Sequence, residues 1–184
     1  IAIEPFRVPS GSMEPTLYGN MNYATDDRVV VNKLAYGVRL PFSNRLLFRT
    51  GEPERWDIAV FRSVEPPPEN ADALERFLHR VWPKALIKRI VGLPGERIHI
   101  ENGRICANGR ALELPPDMPD VHYTTIAPGD PLRQIVNGDS GELSMVGTQW
   151  RYGIWQEDAY AVVPPDSYLV LGDNSGLSVD GRSF

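Results

Sequence analysis

Two serines, Ser10 and Ser12, flank a glycine in Val8-Pro9-Ser10-Gly11-Ser12-Met13-Glu14-Pro15-Thr16-Leu17, with a proline on either side. Proline fixes φ and removes a backbone donor, so the chain around these hydroxyls is stiff. A positioned nucleophile needs that rigidity, and an ordinary Ser/Pro/Gly loop shares the same composition. A serine attacks a carbonyl only when a base takes its proton. Lys88 is a candidate base, because a desolvated lysine loses its proton well below the ordinary lysine range. In Leu86-Ile87-Lys88-Arg89-Ile90-Val91, strand alternation puts Lys88 on the face of Leu86 and Ile90, and Arg89 on that of Ile87 and Val91. One of the two cations must therefore occupy the more buried face, unless Lys88 lies at an edge and snorkels to water. Near the C-terminus, Leu171–Arg182 supplies Ser178, whose hydroxyl could hold a neutral amine in line, and Asp180 with Arg182, which could form a supporting ion pair. Alone, that stretch is a solvated turn.

The composition narrows the chemistry. The 184 residues carry a net charge of -5, without the basic footprint that nucleic-acid backbones require. Cys106 is the single cysteine, so no internal disulfide forms, and the Cys/His clusters of a zinc site are missing. No phosphate loop, metal cluster or cofactor motif is read in the sequence, and the expected mechanism uses no cofactor and no metal. No apolar run reaches the roughly 18 residues of a membrane span. The chain opens at Ile1 and closes at Phe184, and both ends read as processing boundaries, with any anchor lying upstream.

Seventeen prolines and 16 glycines punctuate short β-branched runs, the pattern of a mainly β domain. Strands are expected at Arg28–Lys33, Ile58–Phe61, Leu86–Val91, Arg97–Glu101, Arg104–Ala107, Tyr160–Val163 and Tyr168–Gly172. Asn102-Gly103 predicts a type I′ hairpin turn between two of them. One helix is expected after Pro66-Pro67-Pro68, capped by Asn70, with Leu74, Phe77, Leu78, Val81 and Trp82 as an apolar stripe packed on the β core before Pro83. The single domain then divides into a β core at about 1–65, 84–114 and 158–184, a helical insert at about 66–83 and an irregular insert at about 115–157.

Taken together, SGSMEPTL, KRIVGLPGE at Lys88–Glu96 and LGDNSGLSVDGR at Leu171–Arg182 resemble, in order, signature boxes of the bacterial type I signal peptidases. RVVVNKLAYG at Arg28–Gly37 and WDIAVFR at Trp56–Arg62 resemble the connecting boxes. The resemblance implies antiparallel sheets, partly barrel-like, and a serine endopeptidase that removes signal peptides after small-x-small sites. It implies Ser12 as nucleophile, Lys88 as general base, and an oxyanion hole from the Ser10 hydroxyl and the Ser12 N–H. Ser178 would orient Lys88, Asp180 and Arg182 would support it, and Arg89 would be structural. The last box departs from the family form: Ser175, Gly176, Leu177 and Gly181 stand where Arg, Asp, Asn and Ser are usual.

A substrate peptide is expected to add as a strand between Phe6–Ser12 and Leu86–Lys88, with Phe6, Val8, Met13, Leu17, Leu86 and Ile87 lining shallow apolar pockets. The apolar stretch Leu34–Phe48, including Tyr36, Phe42, Leu46, Leu47 and Phe48, either rests on a lipid surface or packs in the core. The implied partners are signal peptides and membrane lipid, for a monomer held by an N-terminal anchor on the outer face of the bacterial cytoplasmic membrane. Two other readings use the same residues: a conjugation-associated Ser/Lys protease, and a peptide- or lipid-binding domain that lost the chemistry. A rival active site at Gly138-Asp139-Ser140-Gly141, served by His79, His99 or His122, fits poorly, because Glu142 interrupts its glycine-rich continuation.

Overall fold

The computed structural model describes residues 2–19, 25–39, 46–63, 70–81, 84–124, 134–136, 143–145 and 160–182. The elements in chain order are β1 (Ile3–Arg7), a 3-10 turn (Gly11–Met13), β2 (Arg28–Asn32), β3 (Val38–Arg39), β4 (Leu46–Phe48), β5 (Ile58–Arg62) and α1 (Ala73–Val81). There follow β6 (Ala85–Gly92), β7 (Arg97–Glu101), β8 (Arg104–Ala107), β9 (Arg110–Ala111), β10 (Gln134–Val136), β11 (Leu143–Met145), β12 (Ala161–Val162) and β13 (Leu169–Leu171). Among the described residues every strand pairing is antiparallel, as expected of a mainly β chain.

Two sheets enclose the core. One has the order β13-β6-β5 and the other β12-β7-β8-β9; three two-stranded pairs, β1-β2, β3-β4 and β10-β11, complete the described strands. The expected barrel character is not seen: among the described residues the sheets stay open. Inward side chains of β7, Ile98 and Ile100, alternate with outward Arg97, His99 and Glu101, the period-2 pattern of a strand with one wet face. They pack with Val91, Ile105, Ala107, Val163, Leu169 and Leu171. Val121 and Tyr123 belong to this same cluster, so the stretch expected as an irregular insert from residue 115 begins inside the core.

Both residues of the Asn102-Gly103 turn have positive φ, 49° and 78°, as a type I′ hairpin requires. Asn108-Gly109 repeats this at 51° and 79° and turns β8 into β9, a hairpin the same dipeptide signal announces.

The helix forms at its expected place but differs in two respects. Asp72, not Asn70, accepts a hydrogen bond from the Glu75 N–H at 2.7 Å and caps it. The stripe expected in the core faces outward: Leu74 is 64% exposed and Phe77 59%. A 3.6-residue period marks an apolar face without saying what lies opposite it.

Candidate active site

Ser12 sits in the 3-10 turn that follows β1, with Ser10 extended before it and Met13 tucked inward at full burial. The turn is held by a Glu14 N–H bond to the Gly11 carbonyl and a Leu17 N–H bond to the Met13 carbonyl. Asp27 anchors both flanks: its carbonyl accepts from the Val8 N–H and its carboxylate from the Tyr18 N–H. The result is a buried hydroxyl on a fixed backbone.

β6 is the central strand of its sheet, and burial sets in along its length: Ala85 is exposed, whereas every residue from Lys88 to Gly92 is buried. The expectation that one cation takes the more buried face is therefore too simple, since Lys88 and Arg89 are both buried. On one face Lys88 Nζ donates to Ser12 Oγ at 2.8 Å, joining residues 76 positions apart. Burial pulls the Lys88 ammonium below the ordinary lysine range; the Asp180 charge opposes this, and Lys84 and Arg182 add to it. Among the described residues no carboxylate forms an ion pair with Lys88. The Ser10 hydroxyl donates to Ser12 Oγ at 3.3 Å from the exposed side.

On the other face Arg89 forms a forked pair with Asp173, Nε to Oδ1 at 2.8 Å and Nη2 to Oδ2 at 2.7 Å. Its Nη1 donates to the Trp56 carbonyl at 2.7 Å. Thr16 and Tyr123 hydroxyls also donate to the Asp173 carboxylate. Asp173, Thr16 and Tyr123 received no role from the sequence, although Asp173 and Thr16 lie inside two of the quoted boxes and the neighbouring Arg89 calls for an acidic partner.

Asp180 and Arg182 form a second fork, Nε to Oδ1 and Nη2 to Oδ2, each 2.8 Å, and both side chains are wholly buried. Burial alone would raise the Asp180 carboxyl, but the Arg182 guanidinium and the Gly172 N–H outweigh it and hold it below the usual carboxylate range. The remaining Arg182 donors reach the Thr124 carbonyl, Ser175 Oγ and the Ser175 carbonyl. Ser178 is buried, but its hydroxyl makes no hydrogen bond to Lys88 among the described residues; it lies against Asp180, whose carboxyl it helps to hold down.

The departures in the last box have local reasons. Ser175, standing where arginine is usual, is buried and accepts from both Arg182 and the Thr124 N–H. A Cβ at Gly181 would press within 2.7 Å of Leu169 and 2.8 Å of the Val170 carbonyl. Gly176 and Leu177 are exposed.

Of the residues expected to line pockets, Phe6, Leu17, Leu86 and Ile87 are half-buried and present surface near the turn and strand. Val8 and Met13 do not: at 1% and 0% exposure they are core residues. Leu34, Tyr36, Leu47 and Phe48 are exposed rather than packed in the core. Phe42, the side chain of Leu46 and the segment Gly138–Gly141 lie outside the described residues. No described helix is long and apolar enough to cross a membrane.

The site thus brings a serine hydroxyl and a desolvated amine into contact on an open antiparallel β framework. The family model for signal peptidase, peptidase S26, matches residues 1–184, and the chain belongs to that family. It is 33% identical to a signal peptidase I of Pseudomonas aeruginosa over 98% of this chain and 55% of that protein. To a signal peptidase I of Pseudomonas fluorescens it is 29% identical, with the same coverage of 98% and 55%. A signal peptidase I crystal structure from Enterococcus faecalis aligns with a TM-score of 0.36 and 22% identity, covering 73% of this chain and 87% of that one. The chain thus spans about half the length of the curated relatives it matches.

Proposed function

We propose that this chain is the catalytic part of a serine endopeptidase that removes N-terminal signal peptides from secreted preproteins after small-x-small sites. The carrying observation is the 2.8 Å contact between Lys88 Nζ and Ser12 Oγ, with both groups buried. As an ammonium, Lys88 donates to Ser12. Once burial has cost it the proton, the direction reverses and the Ser12 O–H donates to Nζ.

The steps follow from that reversal. Ser12 Oγ bonds to the scissile carbonyl carbon while its proton passes to Lys88 Nζ. The resulting oxyanion is stabilised by the Ser10 hydroxyl and the Ser12 N–H, and a donor of this kind contributes about 3 kcal/mol. Lys88 then gives the proton to the departing amine, the C–N bond breaks, and the signal peptide remains as an ester on Ser12. Water, deprotonated by Lys88, attacks the ester, and the return of the proton to Ser12 Oγ releases the peptide carboxylate.

Strand pairing supports the expected mode of substrate entry. Leu86, Ile87 and Lys88 pair with Phe61, Val60 and Ala59 of β5, whereas β13 reaches only Arg89 and beyond. The second edge of Leu86–Lys88 therefore has no strand on it among the described residues, and an extended peptide has backbone groups to pair with there. Bulky side chains would meet Phe6, Leu17 and Ile87. The exposed Leu34, Tyr36, Leu47 and Phe48 support contact with a lipid surface, where such substrates are presented.

The test is cleavage of a fluorogenic peptide with an Ala-x-Ala site in detergent. Activity lost in both Ser12→Ala and Lys88→Ala, but kept when His79, His99 and His122 are replaced, fits the proposal. An inactive wild type, or cleavage by Ser12→Ala, favours a binding domain without this chemistry. Enlarging the P1 residue from Ala to Leu should remove nearly all turnover, and equal rates would count against the pocket assignment.

A further inference from the structure

The β7–β8 hairpin carries a second group of chemically competent side chains on the outer face of its sheet. His99 and Glu101 are two residues apart on β7 and so share a face, and Cys106 of β8 is the direct cross-strand partner of His99. Their donor atoms all lie within 4.8 Å of one another. His99 Nε2 is 3.8 Å from Glu101 Oε2, and Cys106 Sγ is 3.9 Å from the same oxygen. Bond lengths of about 2.0–2.3 Å to a tetrahedral zinc ion put neighbouring ligand atoms roughly 3.4–3.6 Å apart, so the two separations from Glu101 need to close by a few tenths of an ångström and the His99–Cys106 pair, within 4.8 Å, by about an ångström at most.

The arrangement has a floor and a rim. Cys106 is 2% exposed and lies beneath, whereas the side chains of His99 and Glu101 are 24% and 58% exposed and reach solvent. Neighbouring cations do not compete for the carboxylate: the Arg97 guanidinium stacks on the Tyr160 ring at 3.9 Å, and Arg104 forms no ion pair with Glu101 among the described residues. Sulfur, nitrogen and oxygen donors together suit a borderline-soft divalent ion, not magnesium or calcium, which take oxygen.

We propose that His99, Glu101 and Cys106 form a surface site for a zinc-class divalent transition-metal ion, with a fourth position open to water or to a ligand from another molecule. On binding, the Cys106 S–H gives its proton to solvent and the thiolate takes the ion from below, while His99 and Glu101 close over it. Cys106 is the single cysteine of the 184 residues, so no disulfide within them competes with the ion for its sulfur. The site stands apart from Ser12 and Lys88, and the proposal does not depend on their role.

Titration of the untagged, reduced chain with Co²⁺ tests it, read by absorbance and by equilibrium dialysis. The expected result is one Co²⁺ per chain with a sulfur-to-cobalt charge-transfer band that Zn²⁺ abolishes. Cys106→Ser should lose the band, Glu101→Gln and His99→Ala should weaken binding about tenfold or more, and Ser12→Ala should bind as the wild type does. No band in the wild type, or an unchanged band in Cys106→Ser, overturns the site. Should Cys106→Ser fail to fold, the two rim variants decide, and wild-type Co²⁺ affinity in both overturns it.

Discussion

The Ser12 carbonyl oxygen accepts a hydrogen bond from the Asn174 N–H at 3.1 Å, so the C-terminal box grips the Ser12 turn by its backbone, 162 residues away in sequence. Gly172 makes that grip sterically feasible, because a Cβ there would collide with both the Ser12 carbonyl oxygen and Ser178 Oγ. Gly172→Ala is expected to push the turn away from Lys88. Misplacement on this scale costs on the order of 10²-fold in rate, and overpacking costs about 1–3 kcal/mol. Wild-type kcat/KM in this variant would show that the turn is not held from this side.

If Lys88 is the base, as proposed, it must be neutral to accept a proton, and kcat/KM should rise with pH along an acidic limb that reports it. Its midpoint should fall below the ordinary lysine range, in the direction that burial imposes. Lys88→Arg should be inactive at every accessible pH, since a guanidinium does not give up its proton. A pH–rate profile centred on the ordinary lysine value would contradict the desolvated state.

Burial of an amine also has a stability signature of defined sign. With the Lys88 pKa lowered on folding, the unfolded chain binds more protons between the folded and unfolded values, and stability rises with pH through that window. Lys88→Met removes the burden while nearly conserving volume. Urea denaturation at neutral pH should find the variant more stable than the wild type, with the difference shrinking as pH approaches about 10.4. A less stable Lys88→Met chain would argue that the amine is well solvated.

Arg182 and Asp180 respond in the opposite sense. Arg182→Ala leaves a buried carboxylate without its partner, a loss of about 3–5 kcal/mol measurable by chemical denaturation. In the wild type, the folded Asp180 pKa is depressed. Its contribution is complete above the unfolded value of about 3.9 and disappears as pH falls through the lower folded value. The acid limb of the stability curve should therefore flatten in Asp180→Asn.

Leu47 and Phe48 are both 56% exposed on β4, and a lipid surface would cover them. Leu47→Ser with Phe48→Ser should reduce co-sedimentation with phospholipid vesicles severalfold while leaving cleavage of a short soluble peptide intact. Unchanged sedimentation would assign these side chains to ordinary surface.

What was legible in the sequence depended on the range of the interaction. Local rules sufficed for the Asn102-Gly103 turn and for the strands around Lys88 and His99, because φ preference and period-2 alternation act over a few residues. Cross-chain partners were a different matter. Arg89 announces that a carboxylate must meet it, but only the fold selects Asp173 and adds Thr16 and Tyr123. The ordered boxes brought Ser12 and Lys88 forward together, whereas their 2.8 Å contact is a property of tertiary packing. The stripe of α1 was visible and its direction was not, and Val8 and Met13 looked like pocket walls although both are core residues. The grouping of His99 with Cys106 follows from hairpin register once Asn102-Gly103 is accepted as the turn, although zinc motifs written as linear spacing do not contain it.

The placement of Lys88 and Arg89 on opposite faces of β6 makes strand register a form of quality control. A pairing error of one residue would exchange them, setting a guanidinium that never yields its proton beside Ser12 and offering Asp173 a lone amine in place of a fork. Such a chain would be both inert and poorly held together. Under the proposed mechanism, a protease with this layout acquires its cutting power only at the moment its own folding is correct.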